Sequence, residues 1–282
     1  MSGTLYVVAT PIGNLEDITL RALRVLREVD LIAAEDTRRT ARLLNHHAIS
    51  TRTVSFHAHN VRSRVPQLVS RLQAGSSIAV VSDAGTPGVS DPGLELVQAA
   101  ISNGISVDPV PGASAPLTAL VASGFPVVPF TIFGFPSARL KARNEWFDLI
   151  CSTPHVFSFF EAPHRIRRTL REIAVYLGNR PIMVAREVTK VHQELLRGTA
   201  SELFESLRDP RGEFTLIVGP PTNIQDENDL RVSDAEVVSE FWRLTESGRA
   251  SRREAVRLVA QGSGRSSRDV YSAIERAKKL GQ

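Results

Sequence analysis

Ser82-Asp83-Ala84-Gly85-Thr86-Pro87-Gly88-Val89-Ser90-Asp91-Pro92-Gly93 is the stretch on which the fold turns. It leaves the apolar run 77–82 and enters an amphipathic stretch that begins at Leu94, so it reads as the turn between a buried strand and a crossover helix. Gly85, Gly88 and Gly93 let the main chain approach a ligand closely, and Asp83 and Asp91 offer acceptors to amines or hydroxyls. The same residues also fit a plain strand-to-helix turn in which Asp91 caps the helix.

On both sides of this turn, short β-rich runs alternate with helical periodicity. Residues 5–9, 31–34, 53–56, 77–82 and 107–110 are predicted strands. Apolar stripes at Leu20, Leu23 and Val25 to Val29, at Val65, Leu68, Val69 and Leu72, and at Leu94, Leu96, Val97 and Ile101 predict the helices between them. The rhythm is that of a parallel sheet covered by helices. Ligands of such sheets bind beyond the carboxyl ends of the strands. The turns Thr10-Pro11-Ile12-Gly13-Asn14, Glu35-Asp36-Thr37-Arg38 and Pro111-Gly112-Ala113-Ser114 should therefore share one edge with the Ser82–Gly93 turn and build a composite site.

A second series of strands is predicted at 130–133, 156–160, 182–185, 194–196 and 214–218, with helical patterns around 146–150, 166–177 and 203–207. The two prolines within 125–129 mark the expected boundary between two lobes, 1–125 and 126–221. After Gly219-Pro220-Pro221 the chain turns polar and acidic, as expected of a linker over 222–234. Three short helices are predicted in an appendage, 235–282, over 235–245, 252–260 and 267–279. Ser251 and Ser266 or Ser267 are the candidate N-caps of the last two, and Gly262-Ser263-Gly264-Arg265 joins them in the manner of a helix-turn-helix.

The chain has 282 residues and 42% hydrophobic content, enough for two modest cores. No run approaches a membrane span, and no basic segment precedes the first apolar run, so a soluble, unprocessed protein is expected. The single cysteine, Cys151, excludes internal disulfides and fits the cytoplasm. The net charge of +4 is unevenly placed: residues 249–282 carry nine basic and three acidic side chains, leaving the first 248 residues at −2. Such a block serves either as a solvated helical face or as a surface for phosphates.

There is no G-x-G-x-x-G dinucleotide fingerprint and no G-x-x-x-x-G-K-[ST] phosphate loop. His57 and His59 stand two apart without other clustered ligands, so no metal site is expected, and a structural or hydrogen-bonding role is preferred.

The segments Thr10-Pro11-Ile12-Gly13-Asn14-Leu15, Ala34-Glu35-Asp36-Thr37-Arg38, Val81 to Gly93, Pro111-Gly112-Ala113-Ser114, Phe160-Glu161-Ala162-Pro163-His164-Arg165, Ala185-Arg186-Glu187-Val188-Thr189-Lys190 and Arg211-Gly212-Glu213-Phe214 carry a resemblance. Together they resemble the bacterial 2′-O-ribose methyltransferases of small-subunit ribosomal RNA, within the tetrapyrrole methylase superfamily. Arg211 stands where lysine is expected, with the charge kept. The resemblance spans roughly residues 4 to 219. It implies a two-lobed α/β fold, with a parallel-sheet N-terminal lobe and a mixed-sheet C-terminal lobe, followed here by the small helical appendage.

The resemblance further implies S-adenosylmethionine as cofactor, a decoding-centre cytidine of 16S ribosomal RNA as target and a homodimer. For the donor it points to Ser82, Asp83, Ala84, Gly85, Val89 and Asp91, then to Ser114, Thr118 and Ala119. From the second lobe it points to Phe160, Glu161, Ala185, Arg186 and Thr215, although Phe160 reads equally well as plain core. Asp36, Asp83, Glu187 and Lys190 are the candidates for handling the proton of the ribose hydroxyl, with His57 behind them. Arg38, Arg39 and Arg165 are expected to hold phosphates or pair with carboxylates, as is Arg186. In the appendage Arg252, Arg253, Arg265 and Arg268 are the candidates for RNA contact, a dimer-contacting or solubilising tail being the alternative. A tetrapyrrole methyltransferase and a non-enzymatic ribosome-assembly factor are the competing functional readings.

Overall fold

The computed structural model describes residues 2–89, 91, 93–208, 210–221, 234–246, 250–263 and 267–280. The chain divides into two compact units, Met1–Pro221 and Thr222–Gln282.

The larger unit opens with β1 (Thr4–Val8), α1 (Leu20–Glu28), β2 (Leu31–Ala34), α2 (Thr37–His46), β3 (Thr53–Ser55), α3 (Val61–Gln73), β4 (Ile78–Val81), α4 (Gly93–Ser102), β5 (Ser106–Val110) and α5 (Ala115–Ser123). The five strands form one all-parallel sheet in the order β3-β2-β4-β1-β5. Strand periodicity divides its side chains cleanly. Leu5, Leu31, Ala33, Ile78 and Val80 pack against α3 and α4 on one face, while Val8, Ile32, Ala34, Ala79 and Val81 pack against α1 and the end of α2 on the other. Burial on both faces explains why β2 and β4 are apolar without alternation.

The second half contains β6 (Phe130–Ile132), α6 (Leu140–Cys151), β7 (Val156–Glu161), α7 (Ile166–Leu177), β8 (Ile182–Arg186), β9 (Glu194–Gly198), α8 (Ala200–Ser206) and β10 (Phe214–Val218). Its sheet is mixed, ordered β6-β7-β10-β8-β9, with only β6 and β7 parallel. Phe157, Phe159, Val184, Phe214 and Leu216 pack against α6, α7 and α8 on one face. On the other face Val156, Met183, Ala185 and Ile217 receive Ala119 and Leu120 of α5 and Ile12 from the turn after β1. This packing joins the carboxyl edge of the first sheet to the second sheet and places the cavity described below.

The smaller unit holds α9 (Asp234–Glu246), α10 (Arg252–Ser263) and α11 (Ser267–Leu280) around Val237, Phe241, Ala255, Val259, Val270, Ala273 and Ile274. Ser251 caps α10, its Oγ accepting the Glu254 N–H at 3.4 Å. Helix α10 runs on through Gly262 and Ser263, which were expected in the joint. Ser263 Oγ donates to the Val259 carbonyl within the helix, and the joint is thereby shortened. Ser266 lies outside the described residues.

Two readings of the helices need correcting. Leu20 is 86% exposed and Ile101 63%, because α1 and α4 bury Ala22, Val25, Leu26, Leu96 and Ala100 instead. Helices α2 and α5 have no apolar stripe strong enough to predict. α2 carries arginine or polar residues at most positions, and α5 is apolar around its whole circumference.

Candidate functional site

The turns at the carboxyl ends of β1, β2, β4 and β5 do converge. Thr10 and Gly85 exchange main-chain hydrogen bonds at 2.9 and 3.0 Å, and Thr10 Oγ1 donates to the Ser82 carbonyl at 3.1 Å. Gly85 needs its positive φ of 80° for this pairing. The β2 and β4 turns clasp each other reciprocally. Asp36 N–H donates to Asp83 Oδ1 at 2.9 Å, and Asp83 N–H donates to Glu35 Oε2 at 3.1 Å. Asp91 Oδ1 accepts the N–H groups of Gly88 and Gly93 at 2.8 and 2.9 Å, so the capping role read from the sequence is present alongside its place on the cavity wall.

Between these turns and the second sheet lies a cavity of about 430 Å³. From the first lobe it is lined by Ser82, Asp83, Ala84, Gly85, Val89, Asp91 and Ser114, all named from the sequence. From the second lobe Phe160, Glu161 and Thr215 reach it. Phe160 stands beside Phe135, with ring centroids 5.2 Å apart. Ser114 sits at the N-cap of α5 with no side-chain capping bond, which leaves its hydroxyl free for the cavity. Four expected residues do not line it. Ala119 and Ala185 fill the core between α5 and the second sheet, Thr118 lies one turn along α5, and Arg186 is held by the Arg211 carbonyl at 2.6 Å and Glu194 at 2.9 Å.

Glu35, Ile12, Thr86, Phe135, Glu213 and Phe214 also line the cavity and were not named as site residues. Glu35 and Glu213 stand inside the segments Ala34–Arg38 and Arg211–Phe214, so position in a motif is the signal in the sequence that points to them. Burial pushes the Glu35 carboxyl above its ordinary range, and the charges of Asp83 and Asp91 add to this; the Asp83 N–H and Arg39 oppose it only in part. Glu161 has a fully buried side chain. Its oxygens accept from Ala162 N–H at 2.8 Å, Arg165 Nε at 3.2 Å and Thr169 Oγ1 at 2.5 Å. Behind it Arg143, 3% exposed, donates to Thr169 and pairs with Glu172.

A second cavity of about 400 Å³ adjoins the first, sharing Ile12, Arg39, Ser82, Asp83, Ala84 and Glu213 with it. Its remaining wall includes Thr10, Gly13, Leu15, Arg42, Leu43 and Lys190. Lys190 Nζ bridges Glu187 at 2.9 Å and Glu213 at 3.1 Å, and Glu187 also accepts the Glu213 N–H at 2.7 Å. Burial opposes both charges, but the hydrogen bonds of the bridge outweigh it. Glu187 is held below and Lys190 above its ordinary range.

Of the four proton-handling candidates, only Asp83 lies on the wall of the first cavity. Asp36 turns back on its own helix. It accepts the Arg38 N–H at 2.8 Å and pairs with the Arg38 guanidinium, whose hydrogen bonds bring its pKa down to about 2. Arg38 is thereby occupied at the surface, and Arg165 is directed inward to Glu161 and the Pro136 carbonyl. Arg39 lines both cavities, 3.5 Å from Asp83. Arg252 lies 6.0 Å from the Trp242 ring centre beside a groove of α9, α10 and α11. Arg265 and the side chains of Arg253 and Arg268 lie outside the described residues. His57 lines neither cavity; its Nδ1 is buried without a partner and its main-chain N–H donates to Asn60 Oδ1. Among the described residues no group of three or more His, Cys, Asp or Glu is close enough to hold a metal ion.

Residues 4–203 match the profile of the family described as Tetrapyrrole (Corrin/Porphyrin) Methylases. The chain belongs to the tetrapyrrole methylase family. It is 44% identical over 272 residues to the protein named Ribosomal RNA small subunit methyltransferase I of Halalkalibacterium halodurans, covering 96% of this chain and 94% of that one. A protein of the same name from Bacillus subtilis is 41% identical over 273 residues, with 96% and 94% covered. Among solved structures, diphthine synthase superposes with a TM-score of 0.63 at 14% identity over 77% of this chain and 90% of that one. Uroporphyrin-III C-methyl transferase from Thermus thermophilus, complexed with S-adenyl homocysteine, superposes with a TM-score of 0.56 at 18% identity over 77% of this chain and 97% of that one. The tetrapyrrole methylase fold is thus established for the two sheets. Among the described residues no helix is long and apolar enough to cross a membrane.

Proposed function

We propose that this tetrapyrrole methylase family member transfers the methyl group of S-adenosylmethionine to the ribose 2′-hydroxyl of a decoding-centre cytidine in 16S ribosomal RNA. One observation carries the cofactor assignment: the charged wall of the first cavity comprises Glu35, Asp83, Asp91, Glu161 and Glu213 against Arg39 alone. A concave, largely apolar site with an excess of carboxylates suits a ligand that bears a sulfonium and an ammonium, and its volume is in the range of small-molecule sites. Ser114, Asp83 and Glu161 would hold its polar ends, with Phe160, Val89 and Phe214 against its apolar parts. When bound, the donor supplies an activated methyl group.

The protein's own task is then to orient the acceptor and to receive its proton. Lys190 is kept protonated by Glu187 and Glu213, which unsuits it as a base. Asp83 alone among the proton-handling candidates lines both cavities, so we assign the proton to its carboxylate. The identity shared with ribosomal RNA methyltransferases over nearly the whole chain supports the RNA target, and the basic block 249–282 suits phosphate contact. We place the reaction in the cytoplasm, beside the ribosomal subunit. Leu117 and Val121 of α5 are 53% and 75% exposed and Val128 is 80% exposed, an apolar surface that suits a second copy of the chain. The deciding test is mass-spectrometric mapping of small-subunit ribosomal RNA with and without the gene. Loss of one ribose methyl group in the decoding centre supports the assignment, and an unchanged map rejects it.

A further inference from the structure

The second cavity differs from the first in charge and in company. Its wall sets Arg39, Arg42 and Lys190 against Asp83 and Glu213, so cations prevail where carboxylates dominate next door. Arg39 and Arg42 are three residues apart on α2 and so share a helix face. Arg39 leans on Asp83 and Lys190 is bridged to two carboxylates, whereas the exposed Arg42 side chain has no hydrogen bond or ion pair with any described residue. An exposed guanidinium that lines a cavity and has no internal partner is available to an external anion. Leu15 and Leu43 give the same cavity an apolar surface for a flat ring.

From this we infer that the second cavity seats the nucleotide to be methylated, with Arg42 gripping a phosphate of the RNA strand and the ribose turned toward Asp83. The inference rests on the functional reading above and adds to it a specific RNA contact. The wall shared by the two cavities, with Asp83 and Arg39 in it, means that a group held on one side faces a group held on the other. Seating a nucleotide in a pocket takes it out of its stack, as enzymes that act on bases do, and phosphate contacts fix its register. A cavity of about 400 Å³ with Arg39 and Arg42 of α2 in its wall meets that need.

The test uses the full-length protein as Arg42→Glu and Arg42→Lys, with purified small ribosomal subunits as substrate. Donor affinity measured by calorimetry should stay within about twofold of the unaltered protein for both. For Arg42→Glu the KM for subunits should rise about tenfold or more and its dependence on salt should lose about one counterion, while Arg42→Lys should lie close to the unaltered protein. An unchanged KM and salt slope in Arg42→Glu overturns the inference while leaving the methyltransferase reading intact. Loss of donor affinity in Arg42→Glu overturns it too, because the cavities would not be separate sites. Absence of transfer by the unaltered protein removes the parent reading and this inference together.

Discussion

Asp83 Oδ1 accepts the main-chain N–H of Asp36 at 2.9 Å, tying the turn after β4 to the turn after β2. The same carboxylate faces both cavities, so its structural and chemical tasks can be separated by substitution. Asp83→Asn keeps an oxygen for the Asp36 N–H and should unfold near the unaltered protein, yet lose most methyl transfer. Asp83→Ala leaves that N–H without its partner and should cost roughly 1–2 kcal/mol in addition to abolishing donor binding. Urea titration and calorimetry distinguish the two; an Asp83→Asn protein of full activity would remove the proposed role in proton handling.

Gly85 holds a φ of 80°, and an added Cβ would stand 3.4 Å from Ile12 Cγ2. Space is therefore available, but the backbone conformation is unfavourable for a β-branched side chain. Gly85→Val should destabilise by about 1–3 kcal/mol and abolish donor binding as the Thr10 pairing shifts. Thermal unfolding together with calorimetry reports both, and unimpaired binding would show that this turn does not shape the cavity.

Glu35 is raised by burial and by neighbouring carboxylates, so folding favours its protonated form. Its contribution to stability is present below the ordinary carboxylate range and is lost as pH rises through the folded value. Glu35→Gln removes that dependence. The variant's Tm should match that of the unaltered protein at pH 4 and exceed it at pH 8, with reduced activity as the cavity loses a charge. A Tm difference that shrinks with rising pH would contradict the sign.

Arg143 is 3% exposed, donates to Thr169 Oγ1 at 2.7 Å and pairs with Glu172, whose side chain is 26% exposed. Thr169 in turn donates to Glu161 on the cavity floor. Arg143→Met should cost roughly 2–4 kcal/mol, somewhat below a fully buried pair because Glu172 keeps water contact. It should also weaken donor binding through Glu161. Equal donor affinity in a destabilised variant would confine the network to a structural role.

Removing residues 222–282 leaves both sheets and their cores whole. Donor affinity should persist, whereas RNA affinity should fall and depend less on salt. Filter binding over a range of salt concentrations measures this, and an unaltered slope would dismiss the basic appendage as an RNA contact.

The edge of the candidate site in the first lobe is legible because glycine, proline and aspartate cluster in turns after apolar strands, and the family resemblance points to individual residues within those turns. Ser82 to Gly85, Val89, Asp91 and Ser114 all reach the cavity. Second-lobe residues were harder. Phe160 and Ala185 both stand opposite Thr215 and so share one face of the sheet, but Phe160 on β7 reaches the cavity whereas Ala185 on β8 is covered by α5, a difference of position across the sheet that strand periodicity does not show. Arg42 escaped notice because α2 has too little apolar content to declare itself a helix, and without the helix its alignment with Arg39 is invisible.

By itself the sequence determined the two runs of strands and helices, the carboxyl-edge turns and the basic appendage, because each is specified by local periodicity and by residues with narrow backbone preferences. Only the tertiary structure decided which carboxylates face one another, which arginines are spent on internal partners, and that two cavities of opposite charge share one wall. Those outcomes depend on distances between residues far apart in the chain, and a few ångströms of packing convert a surface cation into a buried partner or an open one.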